Sequence, residues 1–221
     1  MRNLSCRAVA CAILLIAGSV HAQVGSFTAT VRTPAGQPVV DAVVVAVPND
    51  AAALSGAKPR AEQLDQIDKE FVPKVKPVFV GSTVAFPNKD NVRHHVYSFS
   101  PAKRFELPLY AGVPTQPVLF DKSGVVVLGC NIHDWMIGYI YVSESPWFAK
   151  TGPDGKAVIA DLPPHGYTVR IWHAQQEGPE DDTRRSFDVA PGQHVEGTWS
   201  VGLKPEVRVR RAPTGGHLGH Y

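Results

Sequence analysis

The chain has 221 residues and carries 22 Lys and Arg against 20 Asp and Glu, a formal charge of +2. It therefore lacks the basic excess of a general nucleic-acid binder. Nineteen glycines and nineteen prolines, with short valine-rich runs between them, point to an all-β protein of one large domain or two small ones.

The chain opens on a basic head, MRNLSCR, an apolar run, AVACAILLIAGSV, and a small-residue cut site at His21-Ala22-Gln23. That order predicts a secretory signal peptide over residues 1–22. The run falls short of the ~20 apolar residues a span needs, and no later stretch approaches it. The expected product is a periplasmic protein, with no membrane insertion after cleavage. Cleavage removes Arg2 and Arg7 but no acid, so the remaining chain is formally neutral. It also removes Cys6 and Cys11 and leaves Cys130 as the only thiol. Exported proteins use cysteines in pairs, so a lone one is either inert core packing or chemistry.

Residues 24–48 alternate as strands do around the turn Pro34-Ala35-Gly36-Gln37-Pro38. Residues 49–66, NDAAALSGAKPRAEQLDQ, turn alanine-rich and polar and read as a linker with at most one helical turn. Residues 67–145 hold short apolar strands punctuated by Gly, Pro and Asn, which suggests a sandwich or small barrel. Gly124 to Leu128 runs as a strand directly into Cys130. Residues 147–203 are again antiparallel β in pattern. Asp154-Gly155 is a hairpin signal, and LPPHGY, ending at Tyr167, has the form of a tyrosine corner. Residues 204–221, beginning KPEVRVRR, read as a basic, disordered tail.

The first and third blocks each look incomplete. Their motifs, GQPVVDAVV at 36–44, DGKA at 154–157, LPPHGYTVR at 162–170 and APGQ at 190–193, together resemble one carboxypeptidase-regulatory-like, or transthyretin-like, sandwich. That resemblance implies a sandwich split into 24–48 and 147–203, with residues 67–145 inserted between its strands. A simple string of two domains is the alternative.

Chemistry concentrates in GCNIHDWM, where Cys130, His133 and Met136 are spaced Cys-x-x-His-x-x-Met. A thiolate and an imidazole are strong ligands for a borderline-soft ion, and a thioether adds a weak, long contact; this set suits copper. A further strong ligand has to come from elsewhere. The upstream candidates are His94 and His95, and since neighbours on a strand face opposite sides, only one of them is expected to reach the metal. His95, Tyr97 and Phe99 are as acceptable an inward set as the one containing His94.

Residues 67–143 resemble a cupredoxin of the plastocyanin and amicyanin type. The lead-in is Phe71 and Pro73, then Gly81, Thr83, Val84, Phe86 and Asn88. The resemblance places the first copper histidine six residues after that asparagine, at His94, and the two-residue gap between His133 and Met136 matches amicyanin. Three departures stand out. Arg93 and His95 replace the usual Pro and Asn flanking the first ligand, and the proline common between Cys and the second His is absent at Asn131-Ile132.

The resemblance implies an all-β, Greek-key cupredoxin holding one mononuclear copper that cycles between Cu(I) and Cu(II), with Phe86, Trp135, Ile137 and Tyr139 as candidates for its apolar shell. It implies His133 as the electron port, with Ile132, Asp134 and Trp135 contacting a redox protein partner. The arrangement is similar to proteins labelled methylamine-utilisation, which does not establish an amine substrate. Multicopper oxidases flank the cysteine with histidines, and the dinuclear copper site of respiratory oxidases needs two cysteines on one loop; neither pattern is present, so catalysis at copper is not expected. The alternatives are a copper chaperone or store using the same ligands, and a binding module in which the fold is only a scaffold. His165, His173 and His194 read as turn or strand-end residues, and His217 and His220 as members of a Gly-rich tail.

Overall fold

The computed structural model describes residues 23–205 except Thr115. The segment read as a signal peptide, and the tail from residue 206 onward, lie outside the described residues. Among those residues no helix is long and apolar enough to cross a membrane, and the helical elements are two single 3-10 turns, Ala51–Leu54 and Glu180–Thr183. The chain is all-β.

Two strands come first, β1 (Gly25–Arg32) and β2 (Val43–Pro48). Ten follow: β3 (Ala61–Gln63), β4 (Asp65–Ile67), β5 (Glu70–Val72), β6 (Val75–Phe79), β7 (Ser82–Ala85), β8 (His94–Ser100), β9 (Lys103–Tyr110), β10 (Val118–Phe120), β11 (Gly124–Leu128) and β12 (Gly138–Ser143). The last five are β13 (Phe148–Lys150), β14 (Lys156–Leu162), β15 (His165–Trp172), β16 (Arg185–Val189) and β17 (His194–Ser200).

Pairing separates them. One pair of sheets has the orders β14-β1-β17 and β13-β2-β15-β16, so the first two strands share their sheets with the last five. Everything from β3 to β12 pairs within itself, in the orders β10-β7-β3 and β11-β12-β6 and as the hairpins β4-β5 and β8-β9. β1 shows why the first sheet forms: Phe27, Ala29 and Val31 are fully buried at every second position, the period of a half-buried strand. The Tyr167 hydroxyl donates to Pro163 O at 2.8 Å, which closes the corner its sequence suggested.

β2 does not alternate, because it is buried on both faces. Val44 and Ala46 enter the core of the first pair of sheets with Val169 and Ile171, whereas Val43 and Val45 pack against Val75 and Tyr141. β12 mirrors this. Ile140 and Val142 join the core around Phe86 and Phe120, while Tyr141 and Tyr139 turn toward the junction, where Trp172 stacks at 5.6 and 5.8 Å. Polar groups close the junction. Arg170 on β15 donates to Glu144 at 2.6 Å and to Glu180 at 2.5 Å, and Glu180 also accepts from the Tyr141 hydroxyl.

Three expectations change. The stretch 49–66 is a linker only to about residue 60: β3 hydrogen-bonds to the edge of β7 and Leu64 is fully buried, so a polar-looking sequence is recruited by a free strand edge. Asp154-Gly155 does make a turn, with Gly155 at φ +73, but it is not a hairpin. The strands it joins enter different sheets, β13 against β2 and β14 against β1, and a Cβ at Gly155 would lie 2.5 Å from Val31 O. Tyr139, a candidate for the apolar shell, faces the junction instead.

Candidate metal centre

Three segments meet at one point in the core of the β3–β12 unit. His94 begins β8, Cys130 follows the end of β11, and His133 lies in the loop before β12. β8 and β11 are held together here by reciprocal backbone bonds, Tyr97 N–H to Gly129 O at 3.1 Å and Gly129 N–H to Tyr97 O at 3.0 Å. The Tyr97 ring lies over this glycine, where a Cβ would come within 2.7 Å of it and the ring would have to move. The bridge therefore delivers the next residue, Cys130, beside the start of β8.

The inward set of β8 is His94, Val96 and Ser98, with exposures of 0%, 0% and 1%, while Phe99 is 74% exposed. His94 Nδ1 lies 3.8 Å from Cys130 Sγ, and His133 Nδ1 lies 3.8 Å from the same sulfur. One donor atom from each residue falls within 4.8 Å of the others. With the bond lengths of zinc as a guide, about 2.3 Å to thiolate and about 2.0–2.1 Å to imidazole, one ion needs sulfur and nitrogen about 3.6–3.8 Å apart. The three residues fit a shared ion.

Met136 is completely buried in the same apolar cluster as Cys130, along with Phe86, Leu128 and Ile140. Its N–H donates to His133 O at 2.9 Å, tightening the loop between the two residues. His95 is turned away from these three donors: Asn131 Nδ2 lies 2.5 Å from its Nδ1, and Glu106 is within 3.0 Å of its Nε2 without hydrogen-bond geometry. The structure thus brings together His94, Cys130 and His133, buries Met136 in the same cluster as Cys130, and leaves His95 outside as a tie between β8 and the loop.

His133 is partly exposed. Burial pushes its imidazole below the ordinary range, the neighbouring His94 and Lys69 push it the same way, and Asp90 offsets part of this. The neutral ring is the form that binds a metal. Around it Ile132 is 48% exposed and Ile137 38%, Asp134 is exposed, and the Trp135 ring is 5.2 Å from the His133 ring. On the sulfur side a groove of about 480 Å³, lined among others by Tyr97, Phe99, Val127, Cys130 and Met136, opens to the surface.

Two partners were not singled out by sequence. Asp90 accepts from His94 Nε2 at 2.7 Å, and Asn131 holds His95. The sequence signals were slight: an acid four residues before a histidine, and an amide after the cysteine.

No family model and no curated protein matches the chain. Solved structures do. A purple cupredoxin from Nitrosopumilus maritimus is similar at 24% identity and a TM-score of 0.34, over 37% of this chain and 99% of that one. A copper-containing nitrite reductase from Thermus scotoductus SA-01 is similar at 26% identity and a TM-score of 0.36, over 53% of this chain and 28% of that one. A pseudoazurin, given as from Sinorhizobium meliltoi, is similar at 24% identity and a TM-score of 0.31, over 39% of this chain and 76% of that one.

Proposed function

We propose that this protein is an exported, periplasmic blue copper protein that passes single electrons between redox partners and is not itself an enzyme. In this reading the β3–β12 unit is a cupredoxin domain inserted into a second β-sandwich, and one copper is held by His94, Cys130 and His133 with Met136 as the weak ligand. The observation that carries it is the convergence of two imidazole nitrogens on one buried thiol from segments 36 residues apart.

Bound in such a site, copper supplies reversible one-electron exchange. The chain's own part is to keep its donors still. His94 is fixed in a strand, Cys130 by the glycine bridge, and His133 and Met136 by one short loop, so little rearranges when charge changes. The core around Phe86, Leu128 and Ile140 excludes water. Of the three donors His133 is the most exposed, amid Ile132, Trp135 and Ile137, which is where a partner would meet the centre. Asp134 beside it contributes a charge by which partners can be chosen.

Burial favours a carrier over a chaperone. Cys130 is 4% exposed and His94 0%, whereas a site that hands its metal on needs ligands its recipient can reach.

The test is optical. Protein given Cu(II) is expected to turn intensely blue and to bleach reversibly with a mild reductant; Cys130→Ser and His94→Gln should each abolish the colour, and His95→Gln should retain it. A colourless wild-type protein, or colour that survives Cys130→Ser, would refute the reading.

A further inference from the structure

Asp90 sits at the back of the centre in an unusual setting. One of its oxygens, Oδ2, lies 2.7 Å from His94 Nε2 and also accepts from Lys69 N–H at 2.9 Å; the other, Oδ1, accepts from Asp68 N–H at 2.7 Å. The carboxylate side chain is 11% exposed and the imidazole it faces is fully buried.

The two backbone donors come from the turn between β4 and β5. Asp68 and Lys69 both take left-handed backbone angles, φ 54 and 60, and successive donors in such a turn can converge on one anion. The carboxylate is fixed from its own side too. Asp90 N–H donates to Asn88 Oδ1 at 3.0 Å, and Asn88 Nδ2 donates to Val92 O and Tyr110 O at 2.8 and 3.0 Å. Two backbone N–H groups and the His94 ring nitrogen all converge on its two oxygens, the surroundings that favour a carboxylate over a carboxylic acid.

An ionised carboxylate only accepts, so the proton of His94 resides on Nε2. Its Nδ1 lone pair is then free on the side facing Cys130 Sγ. A ligating histidine whose other nitrogen donates to a carboxylate is held in tautomer and orientation and is a more basic ligand.

We propose that Asp90 is the positioning residue of the centre: held by the Asp68–Lys69 turn, it fixes the ligating tautomer of His94 and adds a negative charge that favours Cu(II) over Cu(I). The inference rests on the copper reading above. It makes the β4–β5 turn, remote in sequence from every ligand, part of what sets the reduction potential.

Asp90→Asn tests it, because the side chain keeps its size and loses its charge. Cu(II) affinity, read by chelator competition, is expected to fall about 10-fold or more, within the 10–100-fold range for such partners, and Cu(I) affinity to fall less. A 10-fold difference between the two raises the midpoint potential by about 59 mV for one electron. Asp90→Glu should restore part of the potential. Equal losses for both oxidation states with an unchanged potential would make Asp90 merely structural and overturn the proposal. Should Asp90→Asn fail to fold, nitrogen-15 NMR of the wild-type, metal-free protein decides: a protected His94 Nε2–H supports the proposal, and a proton on Nδ1 overturns it. A wild-type protein that stays colourless with Cu(II) sinks the copper reading and this inference with it; a blue wild type whose potential equals that of Asp90→Asn sinks only the role of Asp90.

Discussion

Replacing Arg170 tests whether the two units fold as one body. Its guanidinium side chain is 12% exposed and bridges Glu180, 22% exposed, and Glu144, 37% exposed, while the Tyr141 hydroxyl from β12 donates to the same Glu180. Arg170→Met keeps much of the apolar stem and removes every donor. Removing one partner of a fully buried pair costs about 3–5 kcal/mol, whereas exposed pairs contribute about 0.2–1 kcal/mol. Glu144 can turn to water and Glu180 keeps Tyr141, so the expected cost is between these limits, about 2–3 kcal/mol. For a chain of this size that lowers Tm by about 4–12 °C.

Thermal unfolding by circular dichroism and calorimetry reads the effect, and a double-mutant cycle with Glu180→Leu isolates the pair. Because an apolar replacement of a whole buried ion pair is often neutral or better, Arg170→Met with Glu180→Leu should recover much of what Arg170→Met loses. A Tm change below about 2 °C for Arg170→Met, strictly additive effects in the cycle, or two separate transitions in the wild-type protein would refute the reasoning.

Two further outcomes follow from packing and from burial of an imidazole. At Gly138 an added Cβ would lie 2.8 Å from Phe71 Cβ and 2.9 Å from two of its ring atoms, and Phe71 is 2% exposed. Gly138→Ala should therefore cost the ~1–3 kcal/mol of an overpacked core, lowering Tm by about 2–12 °C; an unchanged melting curve would contradict it. His173 is half-buried, accepts at Nδ1 from Gln175 N–H at 3.2 Å, and is held below its ordinary value mainly by burial. Its folded pKa lies under the unfolded value of about 6.5, so the unfolded chain takes up the proton first and stability falls as pH drops below about 6.5. In metal-free protein, His173→Gln should lose less Tm than wild type between pH 8 and 5.5; parallel pH profiles would count against the assignment.

How much was legible in advance depends on how far apart the cooperating residues lie. Cys130, His133 and Met136 lie within seven residues of one another, so their spacing marks a candidate ligand set without any long-range contact. The alternation of β1 and the corner at Tyr167 are likewise local, because period and turn chemistry act over a few residues. The all-β class follows from such local signals.

Tertiary structure decided the rest. His94 and His95 are indistinguishable by composition; the reciprocal bonds of Tyr97 with Gly129 set the phase of β8, and that phase turns one imidazole onto the sulfur and the other onto Asn131. The valine run of β2 reads as apolar, but only its position between two cores explains why both faces are covered. Asp90 finds its backbone partners 21 and 22 residues away, and Arg170 finds Glu144 26 residues away. Sequence specifies which groups seek burial or a partner, since propensity and periodicity are local. Which groups meet depends on strand register and sheet packing over tens of residues, and these arise only when the whole chain has folded.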